Sequence, residues 1–192
     1  MNAGILSLWG VWDTVYQRCT RLQYVDKGKN IFRIVLLRYR GEVLTTSDGR
    51  QIHPGDLIIK LHIHNYHLAT MFQGIKNDTR MVLLLRRHVL ESLPQLAAYV
   101  ASLPQSEQIK GIVGTTMLYK GAEQLGFTVS EVPLTIFFRY KRWYLKLMIR
   151  LIHPDGHKRL HHHQNLALTR VYMSKEELLK RYLPEGSGIG LS

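Results

Sequence analysis

Residues 56–68, DLIIKLHIHNYHL, decide how the chain is read. Alternation along them sets Leu57, Ile59, Leu61 and Ile63 on one side of an extended strand and Ile58, Lys60, His62 and His64 on the other. A strand with one wholly apolar side belongs to a sheet covered on that side. Its other side, apolar at one end and polar at the other, makes the strand's end either a metal or acid/base site or a place where polar residues turn the chain. Asn65 is a candidate cap for a helix beginning at Tyr66.

Working outward, the β-rich run IFRIVLLRYRGEVLTTSDGRQI (31–52) predicts a strand, a turn near Gly41, a short strand and an SDGR turn, in hairpin or meander order. Upstream, Ile5, Leu8, Trp9, Trp12, Val15, Tyr16, Cys19 and Leu22 recur at helical spacing and predict an amphipathic helix. Downstream, MVLLLRRHVLESLPQLAAYVASL (81–103) predicts two helical pieces divided near Pro94 that cover the sheet. IKGIVGTTMLY (109–119), KGAEQLG (120–126) and FTVSEVP (127–133) read as strand, short helix and strand, a βαβ-like passage. Helical period returns from Thr135 to Ile152, with Phe137, Tyr140, Tyr144, Met148 and Leu151 on one face and Arg139, Arg142, Lys146 and Arg150 on another. A loop, a last strand LALTRVY (166–172) and a helix opened by a Ser174/Glu177 capping box follow. The expected fold is a single α+β domain, residues 1–183, with a mixed β-sheet covered by helices and a flexible tail at 184–192.

At 192 residues the chain has room for one proper core, and 45% hydrophobic and 21% charged residues are ordinary globular usage. Lysine and arginine number 26 against 14 acids, a formal +12 that attracts phosphates, anionic lipids or acidic polymers. With Cys19 alone there is no intrachain disulfide and no cysteine-rich metal site. No apolar run reaches the roughly 18 residues of a membrane span, and the start lacks a secretory signal. These features suggest a cytoplasmic chain, soluble or peripheral at a membrane.

The histidines admit two readings. His62, His64 and His67 could converge on a metal, with His62 and His64 Cβ atoms about 7 Å apart on one strand face. Against this, the nearest acid in sequence, Asp56, stands at the far end of the strand, and Lys60 is a poor neighbour for a cation. The plainer reading makes His62 a hydrogen-bonded pocket residue. His153, His157 and His161 to His163 read as a solvated basic loop. Gly111, Gly114, Thr115 and Thr116, with Lys120 close by, could hold an anion, or the glycines could simply allow close packing. Neither the P-loop nor the dinucleotide spacing is present, and no cofactor motif is found. The 135–152 helix could dock on an anionic membrane or bury its aromatic face. Nucleic-acid binding has no RRM, KH or zinc-finger pattern behind it.

Taken together and in order, YQRCTRL, NIFRIVLLRYRG, DLIIKLHIHN, SLPQLAAYV, IKGIVGTTMLYKGAEQLGF and YMSKEELLKRY resemble the YkoP-like family of spore-forming Gram-positive bacteria, over about residues 9–182. Related domains follow polysaccharide deacetylase domains. The family pattern maps onto Gly55, Asp56, Leu61, His62 and Asn65, and onto Gly114, Thr116, Leu118, Gly121, Ala122, Leu125, Gly126 and Phe127. The resemblance implies a cell-envelope or sporulation setting and favours a pocket at His62 and Asn65 over a three-histidine metal site. On this reading the protein is an accessory or binding module for an anionic ligand, polymer or membrane surface, in which His62, Asn65, Gly114, Thr115, Thr116 and Lys120 contact the ligand and the basic helix attracts it. The alternative is a transferase on an activated sugar or acyl donor, with His62 as general base.

Overall fold

In a computed structural model the strand at the centre of that reading runs Leu57–Ile63, with the expected bounds and faces. The structure describes residues 3–72, 75, 77–116, 120–132, 139, 143 and 168–183. Helix α1 (Ala3–Thr20) is followed by β1 (Gln23–Tyr24) and β2 (Phe32–Arg38). A small hairpin of β3 (Leu44–Thr45) and β4 (Gln51–Ile52) precedes β5 (Leu57–Ile63). Helices α2 (Asn65–Met71) and α3 (Asp78–Ser102) lead to β6 (Ile109–Thr116), then β7 (Thr128–Glu131), β8 (Thr169–Ser174) and α4 (Lys175–Tyr182).

Six strands form one mixed sheet in the order β1-β2-β5-β6-β8-β7, parallel only between β5 and β6. One face carries the main core. Ile34, Ile59, Leu61, Ile112 and Met173 from the strands pack with Leu68 of α2 and Phe72 just after it, Leu93, Leu96, Ala97 and Val100 of α3, and Leu178 of α4. Much of this is the large apolar burial that offsets the ordering of the chain. The other face has a smaller cluster, Ile58, Val113 and Tyr172 under Tyr39, Leu44 and Ile52, where among the described residues the β3–β4 hairpin covers one end. The result is the α+β domain with a mixed sheet that the sequence predicts.

Five local expectations are corrected. Residues 78–102 form one helix straight through Pro94, because burial of Leu93, Leu96 and Ala97 holds the segment against the core despite the missing donor. Asn65 is the first helical residue and the N-cap is His64, whose side chain makes no capping bond. Between β6 and β7 the expected helix is a single 3-10 turn, Glu123–Leu125. Ser174 does cap α4, accepting from the Glu177 N–H, but the Glu177 carboxylate accepts from Arg181 instead of closing the box. β6 and β7 both pair antiparallel with β8, which lies between them. Most of the 135–152 stretch, including Arg142, Lys146 and Arg150, lies outside the described residues, as do the histidines at 153, 157 and 161–163 and the 184–192 tail; Arg139 and Trp143 are helical and exposed.

Candidate functional site: a cationic row on the half-covered face

Register fixes which polar residues meet. Arg33 pairs with His62 and Val35 with Lys60 across β2 and β5. Lys60 pairs with Val113 and Leu61 with Gly114 on the next strand. One step further along, His62 lies beside Thr115, and Ile63 beside Thr116 on the opposite face. Thr115 in turn pairs with Arg170, and Arg170 with Ser130. A row of Arg33, His62, Thr115, Arg170 and Ser130 therefore crosses the half-covered face, with Lys60, Tyr172 and Thr128 in the row beneath it. His62 and Thr116, expected to share a pocket, point to different faces, and both have contacts of their own. Gly114 faces the core, where an added Cβ would stand 3.2 Å from Val171. Gly111 is tighter still, its Cβ position 2.6 Å from the Met173 carbonyl oxygen, so close packing accounts for both glycines. Lys120 is exposed at a turn beyond the strand.

At one end of the row Arg33 is buried and donates twice to Asp13 of α1, at 2.9 and 2.7 Å. The same carboxylate bonds His64 Nε2 at 3.0 Å. Burial by itself raises the Asp13 pKa, but the hydrogen bonds from His64 and Arg33, with their charges, outweigh it and hold the carboxyl below its ordinary range. Tyr24 stands edge-on to His64 with ring centroids 5.4 Å apart, and the Arg33 guanidinium lies 5.7 Å from the Tyr24 centroid. His67 stacks on His64 at 5.7 Å. Burial pushes the His67 pKa down, and the neighbouring His64 and His88 push it the same way. Among the described residues no group of three His, Cys, Asp or Glu is placed to hold a metal ion.

The middle of the row is different because its cations are not balanced. Burial lowers the Lys60 pKa, and the charge of Arg170 lowers it further. Among the described residues neither cation has a carboxylate partner. Arg170 instead donates to the Tyr39 hydroxyl at 3.3 Å, and that hydroxyl donates to the Glu42 carbonyl. Thr128 Oγ1 and Ser130 Oγ are buried without a hydrogen-bond partner, as is Arg33 Nε. Buried unpartnered polar groups are uncommon and costly. Sequence reading left out Asp13, Arg33, Thr128, Ser130 and Arg170, whose only signal was polarity at helix and strand positions.

The YkoP domain family matches residues 2–182 of this chain. The Bacillus subtilis (strain 168) protein described as "Uncharacterized protein YkoP" is 35% identical over 185 residues, 95% of this chain and 98% of that one. The chain belongs to the YkoP family. No solved structure matches it. For this YkoP protein, then, fold and family are in hand, and any chemistry must be argued from the row itself.

Acid should weaken the fold in two stages of one sign. His67 and Asp13 both have folded pKa values below their ordinary ones, so each contributes stability that is present above the ordinary value and lost as pH falls through the folded one. Urea midpoints should therefore drop first below pH 6.5 and again in the carboxylate range, and His67→Asn should flatten only the first step. A midpoint unchanged from pH 7.5 to pH 5 would contradict the burial of His67.

Proposed function

We propose that the half-covered face binds an extended anionic ligand, and that the protein is a binding or accessory module rather than a catalyst. The observation that carries this is Lys60, half-buried beside Arg170 with no carboxylate among the described residues, on a face with two unpartnered buried hydroxyls. Taking a cation partly out of water without a counter-charge costs free energy, and an anion supplied from outside would relieve it. Strands stand about 4.8 Å apart, so Lys60 and Arg170, two strands apart, are spaced for several charged groups rather than one small ion. The net charge of +12 supports attraction of the same kind of ligand. A cytoplasmic, envelope-associated or sporulation setting, as the family resemblance implies, belongs to this proposal, and nucleic acid remains a polyanion to include in the test.

Thermal melts at matched ionic strength with pyrophosphate, citrate, an anionic glycan and an oligonucleotide test it. A ligand at about 100 times its Kd stabilises by about 2.7 kcal/mol, which for a chain of this size raises Tm by roughly 5–10 °C. Lys60→Met should melt higher than wild type without ligand and lose the response. An equal response in wild type and Lys60→Met, or none in either, would overturn the proposal.

A second reading rests on the Asp13–His64 bond. A carboxylate that orients an imidazole is the arrangement of a general base, and it lies next to the row. A transferase on an activated sugar or acyl donor could use either His62, beside Thr115, or the Asp13-held His64. Turnover lost in one alanine variant with the fold intact would identify which, and undiminished turnover in both would end that reading.

A further inference from the structure

Helix α1 leaves several apolar side chains facing outward. Trp9 and Asp13 are buried, whereas Val11 is 65% exposed, Trp12 55% and Val15 47%, with Arg18 and Cys19 exposed beside them. At 100° per residue, positions 11, 12, 15, 18 and 19 fall within one arc of about 120°. The periodicity that predicts an amphipathic helix is real, but of its described side chains Trp12, Val15 and Cys19 point away from the domain. The Asp13 bonds to Arg33 and His64 hold the helix in that rotation, because turning the stripe inward would pull the carboxylate off both partners.

We infer that this outward stripe is a docking edge for the anionic surface of a lipid bilayer. Two features select that occupant. The only acid between residues 3 and 25 is the buried Asp13, while Arg18 and Arg21 are exposed, so the edge is cationic and suits a negatively charged surface. A stable pairing of two copies needs about 800 Å² from each partner, far more than three exposed side chains on one helix supply. A bilayer accepts a small footprint, because a tryptophan and two valines entering the headgroup boundary add to the attraction of the arginines. Among the described residues no helix is long and apolar enough to cross a membrane, so the contact is one of lying on the surface.

Cys19 is the single cysteine and is exposed at the margin of the arc, which allows a polarity-sensitive dye to be attached to the full-length protein without any substitution. Vesicles of phosphatidylcholine with about a third phosphatidylglycerol should shift the dye to the blue and sediment the protein, and raising the salt to 0.5 M should weaken both effects. Vesicles of phosphatidylcholine alone should do neither. Trp12→Glu with Val15→Glu should reduce binding at least tenfold while leaving the melting temperature near that of wild type. Leu83→Glu, the same kind of change at an exposed leucine of α3, should leave binding unchanged. Equal binding by the α1 variant, loss in the α3 variant, or a concentration-dependent dimer by light scattering that Trp12→Glu abolishes would each overturn the inference. It is independent of the ligand proposed for the sheet face, since Lys60→Met should still bind vesicles.

Discussion

Asp13→Ala should lower the free energy of unfolding by about 3–5 kcal/mol, the cost of removing one partner from a buried charged cluster. Arg33 is 3% exposed, and without Asp13 its guanidinium would keep its charge with no acceptor for the two donors now bonded to the carboxylate. His64 would lose its acceptor in the same step. Urea denaturation with an unchanged m-value gives the comparison. The double variant Asp13→Leu with Arg33→Met should recover much of the loss, because replacing a buried ion pair by apolar groups of similar size is often neutral. A single-variant loss below about 1 kcal/mol would mean that water reaches the cluster, as it does for surface pairs.

Ile59→Ala is expected to cost about 2–5 kcal/mol for an opposite reason, a cavity in place of a lost bond. Ile59 is fully buried on the core face of the central strand β5, between Leu36 on β2 and Ile112 on β6. Its neighbours are held by pairing on both sides, so the site collapses poorly. The next residue, Lys60, should respond with the opposite sign when replaced by methionine, since it points to the other face, where among the described residues its charge has no carboxylate partner and Arg170 stands nearby. Measured together, the two variants report whether adjacent residues of one strand serve core and ligand. A loss under 1 kcal/mol for Ile59→Ala would place β5 at the sheet's edge instead of its centre.

Much of this arrangement was legible in advance, and for specific reasons. The period-two pattern of 57–63 gave the strand, its ends and its two faces, because alternation is a property of the strand alone. Helix α1 was legible as a helix, but periodicity does not say which side meets the domain, and here one buried aspartate decides it against the apolar stripe. Pro94 shows tertiary burial overriding a local breaker. The site was half legible. His64 was among the candidates, yet its acid is 51 residues away on another element, and spacing rules see only neighbours in sequence. His62 and Thr116 were read as converging because strand order was unknown; once β5 and β6 are adjacent, a shift of one residue separates faces, and Thr115 takes the place beside His62. Arg170, Thr128 and Ser130 gave no motif, because what marks them, a cation without a carboxylate among the described residues and two buried hydroxyls without a hydrogen-bond partner, exists only in three dimensions.

The single parallel pairing, β5 with β6, divides the sheet into two antiparallel blocks, β1-β2-β5 and β6-β8-β7. Within the first, β2 and β5 are close in sequence and pair early at little entropic expense. The seam between the blocks closes only after residues 64–108 have been laid down as α2 and α3, since those helices connect its two strands. Folding should thus end with the joining of two preformed halves, and the row of cations, which spans that seam, comes into being only in the last step. A chain stalled before the seam closes would keep much of its helix and hairpin structure and have no anion site, so ligand binding would report completed folding more stringently than any measure of secondary structure.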